Sequence, residues 1–136
     1  MLLFIENVEV GSEYEDTIFN YWITARMKDG TIVKIFDYSC LNLISKVAFY
    51  VESILFANLS PPGYEMTKVT GKYIGKLEIK DWQQIAEDRD LGKQYDAVET
   101  SSGIILFHVN DTKKEFLEGD NIQLNVIRFD LIAVNT

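Results

Sequence analysis

The sequence predicts a mainly β fold, a small antiparallel β-barrel or strongly curved sheet carrying one short helix. Three observations predict it: Asp29-Gly30 between two alternating runs, the Pro61-Pro62-Gly63 break, and a change of apolar parity inside the last run, 122–134. Asp-Gly flanked by alternating hydrophobics is a strong short-range hairpin signal. Prolines remove backbone donors, and a glycine permits the positive φ that completes a reversal. A parity change within one strand implies a β-bulge, which bends strands at barrel corners.

In chain order, Leu3, Ile5, Val8 and Val10 make a short first strand, and the polar, acidic stretch Gly11 to Asp16 is its expected exit loop. Thr17, Phe19, Tyr21, Ile23, Ala25 and Met27 then alternate with more polar partners, so the odd positions face the core. A two-residue turn at Asp29-Gly30 sets Met27 opposite Ile32, Ile23 opposite Phe36 and Tyr21 opposite Tyr38. Trp22 and Arg26 fall on the outer face, and Lys34 joins them only if the turn register shifts its side chain outward.

Residues 41–58 fit two patterns, a helical stripe through Leu41, Ile44, Val47 and Val51, and a strand through Val47, Phe49, Val51 and Leu55. The β-branched and aromatic content of 46–58 favours a strand preceded by a short helical turn. A helix over 41–58 would make the fold α+β instead. After the proline break, Tyr64 to Ile79 reads as extended, bent at Gly71 and Gly75. Asp81 is placed to cap a two-turn helix, Asp81 to Arg89, with Trp82, Ile85 and Ala86 as its apolar stripe and Leu91-Gly92 ending it. Tyr95 to Glu99 and Ile104 to Val109 form a second hairpin about Ser101-Ser102-Gly103. The final strand, Ile122 to Val134, is apolar on even positions to Val126 and on odd positions from Ile127, which predicts the bulge there.

Composition bounds the function. A chain of 136 residues with 47% hydrophobic and 12% aromatic residues supports one globular domain, 1–136, with a core that needs neither disulfide nor metal. The net charge of −8 and pI of 4.6 repel phosphate backbones, so nucleic acid is a disfavoured partner. Met1 to Ile5 is too short and lacks the basic flank of a leader, and the apolar runs are far shorter than a bilayer span, which predicts a cytoplasmic protein with no membrane association. One cysteine, Cys40, and one histidine, His108, cannot assemble a zinc set, and nothing around them marks a nucleophile and its base. No metal and no cofactor are expected, because Asn110-Asp111 and Asp120-Asn121 read as turn formers and Gly71 to Gly75 lacks phosphate-loop spacing.

The leading expectation is a non-enzymatic binding or assembly module whose partner is another protein or a second copy. Its candidate docking face is the acidic set Glu6, Glu9, Glu13, Glu15 and Asp16, since a patch of one sign speeds encounter with a basic partner. A second expectation places single-stranded nucleic acid or an oligosaccharide over Trp22, with Arg26 and Lys34 supplying charge. The meander, intervening helix and closing hairpin resemble the oligonucleotide/oligosaccharide-binding fold, which implies a ligand face on the second and third strands. The chain departs from that fold by its extra extended segment, 46–79. An enzyme using a carboxylate pair is the third expectation, although acids this abundant, including Glu87, Asp88 and Asp90, pair by accident.

Overall fold

A computed structural model describes residues 1–60, 67–86, 94–112 and 114–136. Nine strands form one sheet among these residues: β1 Leu2–Tyr14, β2 Thr17–Arg26, β3 Ile32–Asp37, β4 Tyr50–Leu59, β5 Thr67–Glu78, β6 Gln84–Ile85, β7 Gln94–Thr100, β8 Gly103–Phe107 and β9 Asn121–Asn135. Eight of them follow one another in a ring, β3-β2-β1-β4-β8-β7-β5-β9, which the parallel pairs Ile35–Phe129 and Phe36–Asp130 return to β3. The architecture is barrel-like and mainly β. β4 and β9 also pair along Glu52–Leu59, so together they serve both halves of the ring.

The interior is filled by Leu3, Ile5, Ile23, Ile35, Leu55, Phe107, Leu131 and their neighbours. A second apolar cluster, with Ile54, Phe56, Tyr95, Leu106 and Ile132, lies on the other face of the same strands. β4, β7, β8 and β9 are therefore apolar on both faces, which explains why their runs do not alternate. Each fully buried Leu or Ile contributes about 1.5–3 kcal/mol, so these two clusters outweigh any single polar contact in the fold.

Several expectations stand as read. Residues 46–58 carry a strand, preceded by a 3-10 turn at Ile44–Lys46. The final strand has its bulge at Ile127, where the pairing with β4 steps from Arg128–Asn58 to Val126–Leu59. A second bulge lies at Ile132, where the pairing steps from Ala133–Ile54 to Leu131–Leu55.

Three expectations are corrected. Gly11 to Asp16 is no loop: β1 runs to Tyr14, and Glu15-Asp16, both at positive φ (48° and 65°), make the turn. These residues are exposed because the strand leaves the ring, which a polar sequence alone does not distinguish from a loop. The Asp29-Gly30 hairpin has three loop residues, Lys28 to Gly30, closed by Met27 N–H to the Thr31 carbonyl at 2.8 Å, with Gly30 at φ +89°. Ile23 consequently pairs with Ile35 and Trp22 with Phe36, one residue from the expected register, and a one-residue slip exchanges the faces of β3. The helix expected from Asp81 is absent in its described part. Asp81 has φ +61°, Gln84–Ile85 pair with β9, and Trp82 and Ile85 pack on the second cluster. The remainder of that expected helix, with Leu91-Gly92, lies outside the described residues, as does the Pro61-Pro62-Gly63 break.

Candidate functional site

β1 begins inside the ring and ends outside it. Leu2 to Phe4 pair with β4, and Ile5 exchanges backbone hydrogen bonds with Ala48 and Phe49. From Asn7 to Tyr14, the strand has β2 as its only strand neighbour among the described residues, and β3 joins β2 only from Tyr21 onward. Val10 (45% exposed), Tyr14 (67%) and Phe19 (52%) lie on this ribbon, where a buried core no longer covers them. The register from Asn7–Thr24 to Val10–Tyr21 is unbroken, whereas Glu6 and Gly11 on β1 and Phe19 on β2 are each skipped in the ladder as bulges.

The ribbon is also electrostatically uniform. Residues 1–25 contain no Lys or Arg, while Glu6, Glu9, Glu13, Glu15 and Asp16 are all acids. The structure divides this set. Glu6 is half-buried at its bulge and forms an ion pair with Arg26 at 2.7 Å. Glu9, Glu13, Glu15 and Asp16 are exposed, and Glu9 stands opposite Trp22 and Glu13 opposite Ile18.

The second candidate surface is the outer face of β2 and β3. The shifted register brings Lys34 outward, with its Nζ 5.3 Å from the Trp22 ring centroid. Trp22 packs on Phe36 at 4.7 Å between centroids, and the Arg128 guanidinium lies 5.0 Å from the Phe36 ring. Arg128 Nε donates to Asp130 Oδ1 at 2.8 Å, so its position over Phe36 is fixed from the buried side. Trp22 and Lys34 thus come together, while Arg26 is diverted to Glu6. The two cations cover ring surface that a stacked base or sugar would need.

A groove of about 690 Å³ opens between Leu2, Phe4 and Tyr50 on one side and Arg26, Met27 and Lys28 on the other. Phe4 and Tyr50 meet edge to face at 5.1 Å on its wall. It adjoins the base of the ribbon, because Phe4 pairs with both Arg26 and Tyr50.

Sequence reasoning missed three buried aspartates. Asp37, fully buried, accepts the N–H groups of Leu41 and Asn42, both at 2.9 Å, and burial pushes its carboxyl up from the ordinary value. Asp96 (2% exposed) accepts Tyr73 Oη at 2.8 Å and the Val109 N–H at 2.7 Å, and pairs with Lys76 at 2.9 Å. Burial alone would raise its carboxyl, but these donors outweigh burial and hold it below the ordinary range. Tyr73 is pushed up to about 12, by burial first and then by its bond to Asp96. Asp130 accepts from Arg128 and from Asn58 Nδ2. Each of these carboxylates is engaged by donors that hold a loop or strand pair, the usual condition of buried charge.

Cys40 is half-buried at φ +52°, with Sγ 3.6 Å from the Ile18 carbonyl oxygen, and His108 stacks on Tyr95 at 5.4 Å. Among the described residues no group of three or more His, Cys, Asp or Glu side chains is arranged to hold a metal ion, and no helix is long and apolar enough to cross a membrane. Comparison with family models, with curated proteins and with solved structures finds no match for this chain.

Proposed function

We propose that the chain is a non-enzymatic binding module that docks another protein through the ribbon formed by β1 and β2. One observation carries this reading. Of the eleven large hydrophobics exposed among the described residues, Leu2, Val10, Tyr14, Phe19, Phe49 and Tyr50 lie on β1 or on the segments bonded to it. Val10, Tyr14 and Phe19 stand on the ribbon itself, and Leu2, Phe49 and Tyr50 at its base. Exposed apolar groups rimmed by polar ones mark interaction surfaces, and a two-stranded ribbon is marginal in water by itself. The acids on the same ribbon add selectivity for a basic partner. The test is retrieval of a stoichiometric polypeptide from a native lysate by the wild-type chain and by a Tyr14→Ser, Phe19→Ser double variant. Retention by wild type and loss by the folded variant supports the reading; equal retrieval, or none, counts against it.

A second reading, single-stranded nucleic acid or an oligosaccharide on the outer face of β2 and β3, is favoured by the position of Lys34 beside Trp22. The circuit of β1, β2, β3, β9 and β4 adds support for the resemblance to the oligonucleotide/oligosaccharide-binding fold. Against it stand the cations on the ring faces and the charge of −8. A titration with single-stranded oligonucleotides at low salt separates the two readings. Salt-sensitive binding that Trp22→Ala removes would favour the second.

A further inference from the structure

On the β2 side, β1 is paired from Phe4 to Tyr14 with bulges at Glu6, Gly11 and Phe19, but on the other side the ladder stops at Ile5, where the bonds to Ala48 and Phe49 end. From Asn7 to Tyr14 that side makes no backbone hydrogen bond among the described residues. Eight residues of strand extend over about 26 Å at roughly 3.3 Å per residue, enough for a full added strand. An open edge is a template for strand addition: main-chain bonds supply affinity, and alternate side chains supply selectivity.

We propose, resting on the docking reading above, that this edge of β1 takes an extended basic segment of another protein as an added strand. The charges select the occupant. An added strand on β1 runs beside Glu9 on the face of Trp22 and beside Glu13 on the opposite face, because the ladder skips Gly11 and Phe19. Both acids are exposed and have no Lys or Arg on their own strand pair before Arg26. Val10, which faces the way Tyr21 faces, shares the face of Glu13. The chemistry that fits is a segment with Lys or Arg beside Glu9 and Glu13, one on each face, and an apolar residue beside Val10. A second copy does not fit, since pairing β1 with its own image would bring together two acidic ribbons with no cation between them, and like charges across a ladder repel. The same acids, with the bulges at Glu6 and Gly11, therefore guard the edge against self-association while admitting a partner of opposite sign.

The probe is a synthetic peptide of Lys and Val with Lys on both faces, about eight residues long to match the open edge. It is compared with the Glu/Val equivalent and with a Lys/Val peptide N-methylated on alternate backbone nitrogens, all at low salt against the full chain. Amide hydrogen exchange is read residue by residue. The expected result is that Lys/Val slows exchange within Asn7 to Tyr14, Glu/Val does not, and N-methylation weakens binding by about tenfold or more through the lost main-chain bonds. A Glu9→Lys, Glu13→Lys variant loses the interaction while keeping its fold, because both side chains are exposed. Absence of Lys/Val binding, or protection confined to other strands, overturns the proposal. Equal binding of the N-methylated peptide overturns strand addition alone, leaving docking through side chains to the Tyr14 and Phe19 variant.

Discussion

Val10 and Tyr21 stand directly opposite each other on the β1–β2 ladder, yet Tyr21 is 6% exposed and Val10 45%. One rung of the sheet therefore carries the passage from covered core to open ribbon. Beyond it, Tyr14 and Phe19 remain apolar without a core to enter. Surface substitutions away from buried networks usually change stability by less than about 0.5 kcal/mol. The Tyr14→Ser, Phe19→Ser variant should therefore melt within a few degrees of wild type, whereas Ile23→Ala, in the core, costs about 2–5 kcal/mol. Thermal denaturation of the three proteins checks this contrast, and a large loss in the ribbon variant would mean that the ribbon is packed.

The buried aspartates predict pH dependences of opposite sign. Asp96 lies below its ordinary value, so its contribution is complete above about pH 4 and is lost as pH falls through the carboxylate range. Asp96→Asn should cost about 1–3 kcal/mol at neutral pH, with the deficit narrowing in acid. Asp37 lies above its ordinary value, so the fold gains stability as pH falls through its raised value. The deficit of Asp37→Asn should widen over that window. Urea denaturation between neutral pH and the carboxylate range resolves both signs, and parallel curves for the two variants would contradict the assignment.

Tyr73 gives an alkaline counterpart. With its hydroxyl donated to Asp96 and its pKa pushed up to about 12, Tyr73 should ionise well above the ordinary phenol value in a spectrophotometric titration, and Tyr73→Phe should remove that step. Because the folded phenol keeps its proton longer than the unfolded one, stability falls between about pH 10 and 12.

Two glycines separate conformational strain from steric exclusion. Gly30, at φ +89°, has open space where a Cβ would go, so Gly30→Ala should cost only the left-handed penalty, about 1–2 kcal/mol. A Cβ on Gly71 would collide with the Glu99 carbonyl oxygen on the adjacent strand. Backbone cannot step aside as a flexible side chain can, so Gly71→Ala should be the more damaging change in a denaturant titration.

Legibility followed local physics. The outward face of Trp22 could be read because β2 alternates from Tyr21 to Ala25, whereas Thr17 and Phe19, expected to face the core, are exposed, Phe19 being skipped in the ladder as a bulge. The Ile127 bulge could be read because a parity change has one economical cause. The Ile132 bulge was hidden because residues 129–134 are buried on both faces and the one polar residue among them, Asp130, lies before the bulge, leaving no polar position beyond it to mark the change of parity. The hairpin register was misjudged because Asp-Gly specifies a turn without fixing its length: here Gly30 takes positive φ and Asp29 does not. Trp82, Ile85 and Ala86 have helical spacing, yet Trp82 and Ile85 pack on a cluster built by distant strands, which no local window contains. The acids of the ribbon were visible, but the open edge beside them was not, because an edge is defined by which strand fails to arrive.

The most direct test of the central claim is site-specific photocrosslinking in a native lysate, with a photoreactive residue at position 14 on the ribbon or at position 72, an exposed site on β5. The account predicts one discrete adduct from position 14, suppressed by the Glu9→Lys, Glu13→Lys substitutions, and none from position 72. No adduct from position 14, or the same products from both positions, would contradict it.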